Sequence, residues 1–238
     1  MKLDILAFAA HPDDTELSCS GTLAMQISKG SKVGVVDLTR GELSTRGTPD
    51  LRASEAQDSS EFLGLAVREN LEMEDGFFKN ERTEQLKVVQ AIRKYQPDIV
   101  LANAITDRHP DHGRAAELVK SAWFLAGLKK IVTENDGETQ ASWRPRVLYH
   151  YIQSWYVQPD FVIDISEFWD KKIEAISKFK TQFFDADSSE PETYISKKGF
   201  LDATEARAVE FGQSIDAKYG EGFTVNRNIG VSDLTTLL

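Results

Sequence analysis

The sequence predicts an α/β protein with a Rossmann-like, mostly parallel central sheet flanked by helices. Three continuous apolar runs, residues 3–10, 32–39 and 97–104, have the length and composition of strands covered on both faces. Each is followed by a stretch of helical periodicity that closes at a glycine. Strand and helix alternating in this way call for parallel strands joined by helical crossovers. No linker interrupts the 238 residues, so one domain over 1–238 is expected.

Taken in order, "LDILAFAA" (3–10) is the first strand, and residues 14–29 form a helix with Leu17, Leu23, Ala24 and Ile27 turned inward. Gly30 stops it. "KVGVVDLT" (32–39) is the second strand, and the glycine-containing polar stretch 40–50 is a loop. A helix over 51–65 ends near Gly64. Another over 81–95 puts Leu86, Val89 and Ile92 on one side and must stop before Pro97, which disfavours helical geometry at Gln96. "PDIVLANA" (97–104) is a strand, and 113–127 is a helix closed by Gly127. "RVLYHYI" and "FVIDIS" read as strands, with helices over 167–183 and 200–218 completing the chain.

The formal net charge of −10 argues against nucleic acid or an anionic membrane as partner, since both need clustered cations. Cys19 is the only cysteine, so no intrachain disulfide can form, which agrees with a reducing cytoplasm. The apolar start is too short to span a membrane and lacks a signal-peptide cleavage site, so a cytoplasmic location is expected.

Chemistry concentrates in "AHPDD" (10–14) and "RHPDH" (108–112), which share His-Pro-Asp and hold three of the four histidines. Each lies beyond the C-terminal end of a predicted central strand, the rim where open α/β sheets bind ligands. His11, Asp14 and His112 supply two imidazoles and a carboxylate, the donor set of a catalytic zinc that keeps one position open. Pro12 fixes part of the turn, so His11 and Asp14 can converge while Asp13 stays free as general base toward an attacking water. In the second motif, Asp111 could hold one ring nitrogen of His109 and favour its protonated form, ready to support an oxyanion or a leaving amine. A lone His-Pro-Asp is usually an Asx-type turn; two copies at equivalent sheet ends argue for a site. His150 sits inside a strand-like run as a packed or edge residue. The J-domain of co-chaperones also carries His-Pro-Asp, but in a small, basic, helical domain unlike this chain.

With these residues in hand, the chain resembles the LmbE-like (PIG-L) N-acetylglucosaminyl deacetylases, and within them most the bacillithiol-biosynthesis deacetylases. The carriers are "LAFAAHPDDTEL", "VVDLTRGELSTRGTPDLRASEA", "DRHPDHGRAAELV", "QPDFVIDIS" and the late "EGF". The resemblance implies the LmbE-like fold, zinc on His11, Asp14 and His112, Asp13 as base, and the His109–Asp111 pair as support for the intermediate. It implies Arg52 as a grip on sugar hydroxyls, oriented by Glu55, and Tyr194 as a residue that polarises the substrate carbonyl. Asp75 is a further candidate for a sugar hydroxyl. The substrate expected is N-acetylglucosaminyl malate, with diacetylchitobiose, a thiol-conjugate amide or a non-catalytic sugar-binding module as alternatives. An anionic aglycone would need Arg46, Arg52 and Arg108 as local positive charge. Iron(II) also suits such a donor set, and relatives form homo-oligomers, commonly hexamers. Where relatives are glycine-rich after the first motif, this chain has "LSCSGTL", in which Cys19 reads as a buried small hydrophobe.

Overall fold

The computed structural model describes residues 1–184, 186 and 188–236. The expected alternation is present: β1 (Ile5–Ala9), α1 (Asp14–Ser28), β2 (Val33–Thr39), α2 (Pro49–Leu63), β3 (Val67–Met73), α3 (Arg82–Tyr95), β4 (Ile99–Ala102) and α4 (Pro110–Ala126). A two-stranded hairpin follows, β5 (Glu134–Asn135) with β6 (Glu138–Thr139). The chain then adds β7 (Val147–Tyr151), β8 (Phe161–Asp164), α5 (Trp169–Ser177), α6 (Phe200–Gln213) and β9 (Gly220–Val225).

The main sheet has seven strands in the order β3-β2-β1-β4-β7-β9-β8. The first five run parallel, and β9 pairs antiparallel with both β7 and β8. The fold is therefore α/β with a mostly parallel sheet between helices, as the sequence predicts. From β1 the chain crosses outward to β2, whereas from β4 it crosses the other way to β7. The loops leaving β1 and β4 therefore diverge and open a crevice at the sheet's C-terminal edge. Both His-Pro-Asp motifs occupy those loops.

Two apolar clusters cover the sheet. One contains Leu6, Phe8, Val36, Val100 and Leu118 with α3 and α4; the other contains Ala7, Cys19, Leu23, Val35 and Tyr151. α1 departs from a simple inward-facing stripe: it is buried on almost all sides from Asp14 to Met25. Its polar residues must then find partners inside the protein. Glu16 accepts from Ser59 Oγ at 2.9 Å and from Arg68 Nη1 at 2.6 Å, while Arg68 also forks onto both oxygens of Asp37.

Several boundaries differ from expectation for identifiable reasons. α4 starts at Pro110 rather than 113, because the His109 side chain accepts from Asp111 N and caps the helix. The second motif is thus the first turn of a helix. The helix expected over 167–183 is a short 3-10 turn, Ser166–Phe168, and then α5, which ends at Ser177. The helix expected to run to 218 ends at Gln213, and a Cβ on Gly212 would sit 2.8 Å from Ala217 O as the chain folds back. β3 and β9 are additional strands. β3 is a half-exposed edge of mixed polarity, "VRENLEM". β9 is the glycine-bearing "GEGFTV", where a Cβ on Gly222 would lie 2.9 Å from Phe211 Cε2. Among the described residues no helix is long and apolar enough to cross a membrane.

Candidate metal centre

β1 delivers the first motif into a tight turn. His11 N donates to Asp14 Oδ2 at 3.0 Å, and Asp14 N donates to His11 O at 3.2 Å. The reversal holds Asp13 at φ 121°, a backbone conformation that L residues rarely adopt. Its side chain is thereby directed away from that of Asp14. Arg52, in the first turn of α2, clasps this loop: Nη2 donates to Asp13 Oδ2 at 2.7 Å and Nε to Pro12 O at 2.9 Å. Thr48 caps α2 by accepting from Leu51 N, and Pro49 follows at the first helical position, so the arginine's place is set locally.

β4 delivers the second motif. His112 Nδ1 donates to Asp107 Oδ2 at 2.6 Å, and its Nε2 lies 3.1 Å from Asp14 Oδ1. His11 mirrors it, with Nε2 3.0 Å from Asp75 Oδ1 and 3.5 Å from Asp111 Oδ2, and Nδ1 3.7 Å from Asp14 Oδ2. Each imidazole thus turns one nitrogen to a carboxylate behind it and the other toward Asp14. Asp14 is itself fixed by Asn103 Nδ2 and Gln153 Nε2, each at 3.0 Å.

This donor chemistry fits a divalent cation. Metal-binding histidines commonly give their second ring nitrogen to a carboxylate, which fixes the ring and raises its basicity. Four buried carboxylates (Asp14, Asp75, Asp107 and Asp111) surround the two rings, so the cluster needs positive charge. The protein's own electrostatics say the same. Burial alone would lower His112, yet Asp14 and Asp107 outweigh it and push the ring up to about 9. His11 is likewise raised despite its burial, by Asp111, Asp14 and Asp75. Among the described residues, ligand atoms converge most tightly in two groupings, His11–His109–His112 and His11–Asp75–Asp111, neither of which includes Asp14. In the second of these the carboxylates face the outer nitrogen of His11, away from Asp14.

Asp13 has a different environment. Burial raises its carboxyl, Arg52 pulls it back and Asp14 adds to the rise, leaving it at about 6. His109 moves the other way, down to about 4, through burial and the positive charge of His11 and His112. Its Nδ1 accepts from Asp111 N at 3.3 Å, which places the ring proton on Nε2.

Several expectations need correction here. Asp111 does not hold the His109 ring through its carboxylate; that carboxylate faces His11 Nε2, Gly76 N and Arg114. Only its backbone N–H reaches His109, whose surroundings favour the neutral ring. Asp75 lines the cavity as expected and is also engaged by His11 and by Leu43 N, which hold it at about 2 against the upward push of burial, so it orients a histidine as well. Glu55 does not orient Arg52 but accepts from Thr181 N and Oγ1. Arg46 is buried with Ser188 and Glu190 and is absent from the cavity wall, so it supplies no local charge to a ligand. Arg108 and Tyr194 do reach the cavity, the guanidinium 4.1 Å over the tyrosine ring. Cys19 is fully buried, and burial pushes its thiol up, which leaves no thiolate nucleophile.

Sequence reasoning missed Asp107, Asn103 and Gln153. Asp107 opens "DRHPDH", and a carboxylate close before a histidine ligand was the available signal. Gln153 follows β7, the strand next to β4, at the same rim. A cavity of about 470 Å³ opens at this rim, lined by Gln153 together with His11, Asp13, Asp14, His109 and His112.

A protein-family model described as "GlcNAc-PI de-N-acetylase" (PIG-L) matches residues 6–123, which contain both motifs. The chain is also 34% identical to the conserved protein TT1542 from Thermus thermophilus, with a TM-score of 0.86 over 98% of each chain. This chain belongs to the PIG-L family. With that family it is a metal-dependent amidohydrolase. Among curated relatives, it is similar to a diacetylchitobiose deacetylase of Thermococcus kodakarensis, 29% identical over 75% of this chain and 70% of that one. It is also similar to a 4-oxalmesaconate hydratase of Pseudomonas putida, 26% identical over 72% of this chain and 70% of that protein.

Proposed function

We propose that this PIG-L protein is a zinc-dependent deacetylase of N-acetylglucosamine conjugates, with N-acetylglucosaminyl malate, the bacillithiol precursor, as its first candidate substrate. One observation carries the reading: His11 and His112 are each backed by a carboxylate and face Asp14, while Arg52 holds Asp13 apart from them.

In this reading His11, Asp14 and His112 hold the cation. A divalent cation bound there supplies Lewis acidity toward a carbonyl oxygen and toward water. The remaining work falls to this chain's own groups. Asp13 takes the proton of the attacking water; a carboxyl near 6 is ionised at neutral pH yet still basic enough to accept it. Arg52 fixes the direction of that carboxylate. His109, neutral with its proton on Nε2, donates to the carbonyl oxygen as negative charge grows there. Losing such a donor costs about a hundred- to a thousand-fold in rate. Asp13 then returns the proton to the departing sugar amine, and acetate leaves.

For the malate aglycone, Arg108 is the arginine of the expected set that stands at the cavity mouth beyond the catalytic loop. Diacetylchitobiose is the second reading, favoured by the name of the Thermococcus relative. A zinc-reconstituted assay of acetate release from N-acetylglucosaminyl malate, N-acetylglucosamine and diacetylchitobiose tests both. Preference for the malate supports the first, preference for chitobiose the second. No acetate from any of them overturns the deacetylase reading and turns attention to hydration chemistry.

A further inference from the structure

The cavity extends well past the metal-ligand cluster. α6 turns Phe200, Ala203, Thr204, Arg207, Ala208 and Phe211 toward it, a spacing of three and four residues that keeps one helix face on the cavity. From Phe200 to Phe211 that face runs roughly 16 Å at the helical rise. Leu17 of α1, Ile152 after β7 and Ile195 complete an apolar lining, and α6 rests directly on β9 at Gly222.

Four polar side chains along this arm are already engaged. Thr204 Oγ1 donates to Phe200 O, and Arg207 commits both Nη groups to the carbonyls of Gln153 and Ser154. Lys172 donates to Glu221, whose oxygens also accept from Gly21 N and Thr22 N. A sugar ring placed against α6 would find Thr204, Arg207 and Lys172 committed elsewhere, whereas an apolar chain would need no partners there. On the other side of the ligands the wall is polar: Asp13, Ser44, Thr45 and Arg52.

We propose that the α6 arm is a binding site for an unbranched apolar chain carried by the substrate, with the amino sugar on the polar side. This rests on the deacetylase reading alone and names a third substrate class, since neither N-acetylglucosaminyl malate nor diacetylchitobiose carries such a chain. The chain could be attached at the acyl group or at the aglycone, and the two are separable by experiment.

The zinc-loaded protein is assayed on N-acetylglucosamine, N-hexanoylglucosamine and hexyl N-acetyl-β-glucosaminide. At least one hexyl compound is expected to show kcat/KM about tenfold or more above the parent sugar, from burial of its methylenes. The compound that gains names the attachment point. In Ala203→Trp, a change at an exposed helix position that fills the arm, the ratio of hexyl compound to parent is expected to fall at least fivefold. No gain for either compound, or a gain that survives both Ala203→Trp and Ala208→Phe, overturns the proposal. Should no compound be hydrolysed, the deacetylase reading fails, and calorimetry with hexyl glucoside against glucose still decides the arm. Tighter hexyl binding lost in Ala203→Trp supports it; equal binding overturns it.

Discussion

Asp107 receives the Nδ1 proton of His112 at 2.6 Å and, through its other oxygen, the backbone N–H of Trp155 at 2.7 Å. The aspartate therefore sets both the tautomer and the tilt of the ring that faces Asp14. Asp107→Ala is expected to weaken zinc binding about 10- to 100-fold, measured by competition with a chromophoric chelator. Asp107→Asn should lose less, because an amide oxygen can still accept the ring proton.

Asp13 faces the cavity but is held off from the ligand cluster by Arg52. Asp13→Asn is expected to lower kcat by at least about a hundredfold, in line with the loss of a general base, with the zinc content unchanged by metal analysis. Loss of zinc together with activity would instead make Asp13 a ligand.

The pH dependence follows from the same residue. Asp13 must be ionised to accept a proton, so kcat/KM should rise with pH through about 6 and level off above it. A bound cation, being positive, moves this limb to lower pH and never to higher. An acid limb well above 6 would point to another base.

Metal removal should create a pH sensitivity that the loaded protein lacks. In chelator-stripped protein His112 titrates near 9, above its unfolded value of about 6.5. The stability it contributes is fully present below 6.5 and is lost as pH rises through 9. For so buried a ring this amounts to at most about 3 kcal/mol. The melting temperature of stripped protein should therefore fall across that window, while zinc, which takes the place of the ring proton, should flatten the curve.

Arg68 bridges Glu16 and Asp37 inside the protein, with all three side chains almost fully buried. Arg68→Met removes the cation and leaves two uncompensated carboxylates. The expected cost is about 3–5 kcal/mol by chemical denaturation. Changing Glu16 to Gln and Asp37 to Asn in the same chain should recover part of it.

Much of this was legible in the residues alone, because the strong signals were local. Buried parallel strands announce themselves as unbroken apolar runs, which is why β1, β2 and β4 were readable. Their order placed His11 and His112 on neighbouring rim loops. β3 was not readable, since an edge strand needs only partial burial and "VRENLEM" alternates weakly. β9 was hidden by the glycines that let α6 pack onto it. The same limit applied at the centre. Which carboxylate faces which imidazole is decided by loops that meet across the crevice, and sequence spacing does not encode it. Asp111 stands two residues from His109 yet directs its carboxylate to His11, some hundred positions away along the chain. Short spacing suggested a partnership that the first turn of a helix forbids, because neighbours two apart there point in different directions.

The twisted backbone at Asp13 has a last consequence. Glycine would adopt φ 121° freely, so the backbone at this one position is strained by the aspartate side chain, whose ion pair with Arg52 offsets that strain. Asp13→Gly should melt higher than Asp13→Ala, while both are inert as hydrolases. Backbone geometry alone would favour glycine here, and the aspartate marks a position where usefulness overrides local ease of folding.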